Sequence, residues 1–403
     1  MSTTAIRQVH QLVKHQHQRF NLSFTLSLLS HQSNLKSTSR NYQRKDNASG
    51  KRSFSTSPTS FYTSLPRPYR FHVGASWAGK PPDPRLKEVK SHPFPSDSEI
   101  GRWRDYTLSR PKSSGGTNIG EDFFYIQEMR NRSGLSIGIA DGVGGWVDQG
   151  IDPALFAQTL MFHASRYSKS SWAGEPEFDP TQDYEEREEV EGWELRPEEC
   201  MELAHAGVLR EKAVSMGSST ACILNFNASS GILRAANLGD SGFCIIRSSS
   251  CVYQQRPQTH YFNCPKQLAK LPIGPRGYMD ANADSPRDAN IYQTRVRDGD
   301  IIIVYTDGLS DNVFTSEITS ICSLVSRQFA LSPDNMGIEE DKLNDDRRAQ
   351  AIADRLVDYA QMCMMSKTRA SPFERAATRA AKYYRGGKLD DVTVLAVIVR
   401  ESY

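Results

Sequence analysis

The sequence predicts an α+β fold, and three patterns predict it. Short apolar strands come in runs separated by Gly, Asn and Ser turns, without strict alternation with helices. Amphipathic helical stripes cluster between those runs. Carboxylates recur at the ends of the strands, several of them beside glycine.

The strand signals differ in kind. Leu135–Ile139 alternates, and Phe123–Ile126 is a short apolar segment opened by Glu121 and Asp122. Thr220–Phe226, Ile232–Asn237 and Phe243–Arg247 form a meander. Ile301–Tyr305 and Val392–Val399 are continuous apolar runs, as expected for strands buried on both faces. Among the helices, one should run from Pro153 to about Ser168, with Asp152 as N-cap and Pro153 at the first helical position. Pro197–Val214 is a second. Ser316–Phe329 carries the stripe Ile318, Ile321, Cys322, Val325 and Phe329, and Arg348–Lys367 carries Ile352, Leu356, Tyr359 and Cys363. Two acid-rich stretches, near 173–199 and 331–346, read as solvated loops.

Charge separates the chain into two regions. The formal net charge of +2 over 403 residues hides an amino-terminal arm, residues 1–82, with 12 Lys/Arg against one acid, Asp46. The remainder carries 37 basic and 46 acidic residues, so the body lacks the clustered positive charge that nucleic-acid phosphates require. Seven cysteines, odd in number and without a Cys-x-x-Cys pair, argue against a disulfide framework or a structural zinc site.

The arm reads as an address. Up to Lys45 it holds seven Lys/Arg and no acid, and Ile6, Val9 and Val13 form an apolar stripe with Arg7 and Lys14 off it. This is the pattern of a mitochondrial presequence. Arg52-Ser-Phe-Ser-Thr-Ser57 suits matrix processing after Phe54. The expected organisation is a cleaved presequence over 1–54, a Pro/Ser-rich and partly disordered lead-in over 55–100, and a folded domain over 101–403. Leu22–Leu29 is too short and too hydroxylated to span a bilayer, so the mature protein is expected to be soluble, in the matrix, after handling by the import and processing machinery.

The carboxylates carry the chemistry. Asp141 ends one strand and precedes Gly142, Asp240 lies in the turn Asn237-Leu-Gly-Asp-Ser-Gly242, and Asp307 ends another strand before Gly308. Glu121 and Asp122 open one strand, and Asp390 and Asp391 open the last. Strand ends can converge at one rim, where unpaired carboxylates would repel one another. Hard divalent cations with oxygen preference, Mg²⁺ or Mn²⁺, relieve that repulsion.

Six segments in this order resemble the metal-dependent protein serine/threonine phosphatases of the PPM type. They are Gly120-Glu-Asp-Phe-Phe124, Ala140-Asp-Gly-Val-Gly-Gly-Trp146, Gly217-Ser-Ser-Thr-Ala221, Asn237-Leu-Gly-Asp-Ser241, Asp300-Ile-Ile-Ile-Val-Tyr-Thr-Asp-Gly308 and Asp390-Asp-Val-Thr-Val394. Together with Phe262-Asn-Cys-Pro265 and Ser371-Pro-Phe373, the Ala-Asp-Gly-Val-Gly-Gly-Trp segment is similar to the mitochondrial branch. The resemblance implies an αββα sandwich of two antiparallel sheets flanked by helices, with a dinuclear metal centre at one rim. It implies Asp141, Asp307 and Asp390 as catalytic metal ligands, with Asp141 bridging two ions and the Gly142 carbonyl as a further ligand. Glu121 and Asp122 would hold metal-bound waters, Asp240 would join Asp307 at a weaker third position, and Asp391 would support. Two Mg²⁺ or Mn²⁺ ions, with room for a third, would activate a water to hydrolyse phosphoserine or phosphothreonine. Mitochondrial phosphoproteins would be the substrates, with coenzyme Q biosynthesis as one pathway served.

The sequence departs from the family in two places. Val143 stands where many relatives have histidine, so the general acid is unassigned, with His163 and His260 as unsupported candidates. Thr117 stands where many have a phosphate-binding arginine, and Arg130, Arg132 or Lys112 are candidates that spacing does not rank. Two other readings stay open at this stage: a phosphoprotein-binding relative without turnover, and a phosphatase for a small phosphorylated metabolite.

Overall fold

A computed structural model describes residues 67–402 except 82–92, 113–117, 175–193, 272, 275–276, 279–283 and 331–337. The expected presequence, the start of the lead-in, Thr117 and the middle of the first acidic stretch lie outside the described residues.

Two five-stranded antiparallel sheets form the centre. One contains β2 (Asp122–Glu128), β3 (Gly134–Asp141), β4 (Ala221–Asn227), β5 (Ile232–Leu238) and β8 (Asn290–Arg295), in the order β8-β5-β4-β3-β2. The other contains β1 (Tyr69–Ala78), β6 (Gly242–Arg247), β7 (Ser250–Gln254), β9 (Ile301–Tyr305) and β10 (Val392–Glu401), in the order β1-β10-β9-β6-β7.

The helices cover the outer faces. α1 (Glu99–Leu108) and α3 (Pro197–Arg210) pack with α2 (Pro153–Lys169) on the side of the first sheet. α4 (Thr315–Ala330) and α5 (Ile338–Met365) cover the second, and the short α6 (Pro372–Arg379) follows. The four layers are therefore helix, sheet, sheet, helix, as the resemblance implies.

The apolar runs explain the layering. Ile302 and Val304 of β9 and Leu395, Val397 and Val399 of β10 join a core shared with Phe124, Ile137 and Ile139 of the facing sheet. Their neighbours Ile301, Ile303, Val394, Ala396 and Ile398 point the other way, into a second core with Cys322 of α4 and Ile352 and Leu356 of α5. A strand covered on both sides needs apolar residues at every position, which is why these segments show no alternation. Each such aliphatic side chain contributes about 1.5–3 kcal/mol by leaving water.

Helix starts follow local chemistry. The Asp152 carboxylate accepts from the Ala154 amide at 3.0 Å, and Pro153 fills the first helical position. Ser371 accepts from the Glu374 amide at 3.0 Å and caps α6.

Two expectations are corrected. The lead-in reading of 55–100 misses β1, which pairs with β10 over ten residues, from Tyr69 opposite Glu401 to Ala78 opposite Val392. Tyr69, Phe71, Val73, Ala75 and Trp77 alternate with Arg70, His72, Gly74 and Ser76, a strand signal set beside Pro- and Ser-rich neighbours. The polar stretch at 331–346 is not all loop, because α5 begins at Ile338. Two of its acids have partners: Asp345 bonds Arg400 at 2.6 and 3.0 Å, and Asp346 lies 2.9 Å from His72 Nδ1.

Candidate metal centre

The site forms where the ends of β2, β3, β9 and β10 meet. Asp122 opens β2 directly opposite Asp141 at the end of β3. The Asp141 backbone is held by Thr220, whose amide donates to the Asp141 carbonyl at 3.0 Å and whose hydroxyl accepts from the Asp141 amide at 3.1 Å. The next residues are fixed the same way. Val143 N donates to Ser218 O at 3.0 Å, and the Trp146 indole donates to Ser218 Oγ at 2.6 Å. The Gly-Ser-Ser-Thr segment is thus a brace for the loop that follows Asp141. Gly142 is required by close approach: a Cβ there would lie 2.6 Å from Pro153 O and 2.8 Å from Glu121 O.

Asp307 follows β9 and opens a single helical turn, Asp307–Ser310. Gly308 lets this turn lie on the Asp391 backbone, since a Cβ would be 1.9 Å from Asp391 O. Asp391 itself is 3% exposed and gathers separate segments. Its carboxylate accepts from Lys80 N at 2.6 Å and from Glu121 N at 2.8 Å. Asp391 thus ties the Lys80 and Glu121 backbones to the start of β10. Glu121 bonds the Lys80 ammonium at 2.9 Å, and Asp122 accepts from Thr306 Oγ1 at 2.8 Å.

Asp141, Asp240 and Asp307 converge, each offering a carboxylate oxygen within 4.8 Å of the others. Burial and mutual repulsion push the Asp141 and Asp240 carboxyls well above the usual carboxylate range. Asp122 is pushed up for the same reasons, burial first and Asp391 second. Asp307 is held below its usual value: burial pushes it up, but the Lys388 ammonium outweighs that. Asp390, on the far side of Lys388, is raised to about 6 by burial and by Asp307.

Asp240 Oδ1, Asp307 Oδ1 and Asp122 Oδ1 are buried without a hydrogen-bond partner. Buried carboxylate oxygens left in this state are costly, and an all-oxygen donor set facing one point suits Mg²⁺ or Mn²⁺. The residues present therefore fit such an ion.

Other candidates fall elsewhere. Arg130 and Arg132 sit at the opposite end of the β2–β3 hairpin, roughly 20 Å along the strands from Asp141. Lys112 donates to Trp77 O at 2.6 Å and lies over the Trp77 ring. His163 is ten residues along α2 from Pro153, about 15 Å, and packs against Phe162 and Gly207. His260 Nε2 lies 2.9 Å from Asp284. None of these contacts joins the carboxylate cluster.

Three residues of the site escape the sequence reading: Lys80, Asp311 and Lys388. Asp311 lies one helical turn after Asp307, and its carboxyl is raised to about 7 by burial. The i, i+4 spacing from Asp307 was the available signal. Lys80 follows the strand that the sequence reading overlooked.

Comparison with known proteins adds to this geometry. No family model matches the chain. It is 35% identical over 289 residues to the protein phosphatase PTC7 homolog of Danio rerio, covering 71% of this chain and 83% of that protein. To the probable protein phosphatase 2C 80 of Arabidopsis thaliana it is 32% identical over 283 residues, 70% of this chain and 55% of that one. The solved photosystem II phosphatase PBCP shares the fold, with a TM-score of 0.50 and 24% identity over 82% of this chain and 98% of that chain.

Proposed function

The chain belongs to the PP2C/PPM-type protein phosphatase family, and from that premise we propose that it removes phosphate from serine and threonine of mitochondrial proteins. The observation that carries the catalytic reading is the convergence of Asp141, Asp240 and Asp307 with unpartnered buried oxygens. Asp141, Asp307 and Asp390, with the Gly142 carbonyl, would hold the divalent ions, and Asp240 would share one of them. Mg²⁺ or Mn²⁺ bound there would supply a nucleophilic water at neutral pH and positive charge toward the phosphoryl oxygens.

The chain's own residues do the rest. Glu121 and Asp122 stand behind the ligands as hydrogen-bond acceptors for ordered water. Lys80, partly exposed beside Glu121, supplies positive charge at the rim and would orient the substrate phosphate, the task that Thr117 cannot perform. Phe262 lies 5.2 Å from Phe373, ring centre to ring centre, so the two segments that resemble the mitochondrial branch form one wall near Lys388.

The acid-poor, arginine-bearing segment 1–54 supports the mitochondrial address, and the branch resemblance supports substrates in mitochondrial metabolism, coenzyme Q biosynthesis among them. No helix among the described residues is long and apolar enough to cross a membrane.

The test is hydrolysis of a phosphothreonine peptide by the full chain with Mn²⁺, with EDTA, and as Asp141→Asn with Mn²⁺. Turnover is expected only in the first. Turnover that persists in EDTA or in folded Asp141→Asn would refute the reading. Import is read separately, from a fluorescent protein fused behind residues 1–60, which should enter mitochondria and be shortened there.

A further inference from the structure

The carboxylates of the centre are not all in the same state. On one side Asp141, Asp240 and Asp307 face each other, with Asp240 Oδ1 and Asp307 Oδ1 unpartnered. On the other side an ammonium fills the space. Lys388 Nζ lies 2.5 Å from Asp307 Oδ2, 2.7 Å from Asp311 Oδ2 and 3.0 Å from Asp390 Oδ2.

This placement is built into the fold. Asn312, fully buried, accepts from the Lys388 amide at 2.9 Å. Its own amide group donates to Lys388 O and to Gly308 O, each at 2.9 Å. Lys388 and the Asp307 turn are therefore tied to one another through a single side chain. The Phe373 ring, 5.1 Å from the ammonium, closes the outer side.

An ion such as Mg²⁺ joining Asp307 to Asp390 would need their oxygens at about 2.0–2.1 Å. The ammonium already occupies the position between those two oxygens, and two cations cannot share it. The oxygens on the Asp141 side carry no such competitor.

We propose that Lys388 is a resident cation of the metal centre. It neutralises the Asp307–Asp311–Asp390 side, leaves the oxygens on the Asp141 side open to a first divalent ion, and must withdraw before a second ion binds between Asp307 and Asp390. The residue thereby sets how many ions the centre holds at a given concentration. The inference rests on the metal-dependent reading of the site.

The experiment is a calorimetric Mn²⁺ titration of the chelator-treated full chain as wild type, Lys388→Met and Lys388→Arg, with thermal melts in EDTA. The wild type should bind one ion tightly and a second at least about tenfold more weakly, because the second meets a fixed positive charge. Lys388→Met should tighten the second site by about tenfold or more and lower the melting temperature in EDTA, as an uncompensated carboxylate cluster requires. Lys388→Arg should behave like the wild type. A second-site affinity that is unchanged or weaker in Lys388→Met overturns the role of Lys388 and leaves the metal reading standing. Absence of any ion binding to the folded wild type overturns both.

Should Lys388→Met fail to fold, the wild type decides the matter. In a Mg²⁺ titration followed by lysine side-chain NMR, the Lys388 signal, identified by its absence from Lys388→Arg, should move with the second equivalent. A signal that stays fixed throughout overturns the proposal.

Discussion

Asp391 shows how one side chain can organise a site without touching the chemistry. Its carboxylate satisfies the amides of Lys80 and Glu121, which come from different parts of the chain. Asp391→Ala should destabilise the protein by about 2–3 kcal/mol, the scale for hydrogen bonds to a charged group that leave buried donors behind. Urea melts should give the same loss with Mn²⁺ and with EDTA, which separates a structural clamp from a metal ligand. Lys80→Met should act differently, raising KM for a phosphopeptide several-fold while leaving kcat nearly unchanged, the signature of lost ground-state binding. At this scale the sequence was informative where a residue's neighbours were informative. Asp141 and Asp307 stand out because each ends a strand and precedes glycine. Lys388 and Asp311 do not, because each looks like an ordinary charged residue of a turn, and only the packing of that turn through Asn312 brings them onto Asp307 and Asp390.

Among the elements, α4 and the segment before α6 are joined by one ion pair. Glu317 accepts from the Arg369 guanidinium at 2.6 Å, from the Phe314 amide at 2.9 Å and from the Tyr359 hydroxyl at 2.9 Å. Burial pushes its carboxyl up, but these bonds prevail and hold it below the usual value. A depressed folded-state pKa stabilises above the unfolded value, near 4.3, and that stability is lost as pH falls through the folded value. Glu317→Gln should therefore cost about 0.5–1 kcal/mol at pH 7, after allowance for solvent screening, and almost nothing at an acid pH below the folded-state value. Thermal melts at the two pH values check it. Elements with a single strong period were legible: α2 with its cap, the meander of β4 to β6, and the apolar runs of β9 and β10. β1 carried a clean period of two and was still masked by the proline-rich composition around it. The amino-terminal part of α5 was hidden for another reason, since Asp345 and Asp346 gain their partners from Arg400 and His72, distant in sequence.

For the whole molecule, the α+β class followed from the residues, whereas the order of layers came from the resemblance and is now explained by the two-sided burial of β9 and β10. The rim that carries the carboxylates depends on that stacking, because Asp307 and Asp390 belong to the second sheet while Asp122 and Asp141 belong to the first. β10 lies between β1 and β9, yet it follows every other described strand in the chain. Removal of residues 392–403 should therefore leave β1 without a partner and abolish cooperative unfolding, which circular dichroism melts would show. The same arrangement governs synthesis. The second sheet cannot assemble while β10 is still within the ribosome, so β1, made more than 300 residues earlier, waits for its partner. A protein whose sheet is closed by a strand made after all its described partners remains threadable for longer than one that folds from its amino terminus onward, and any product that stops short of that strand is left without a complete rim.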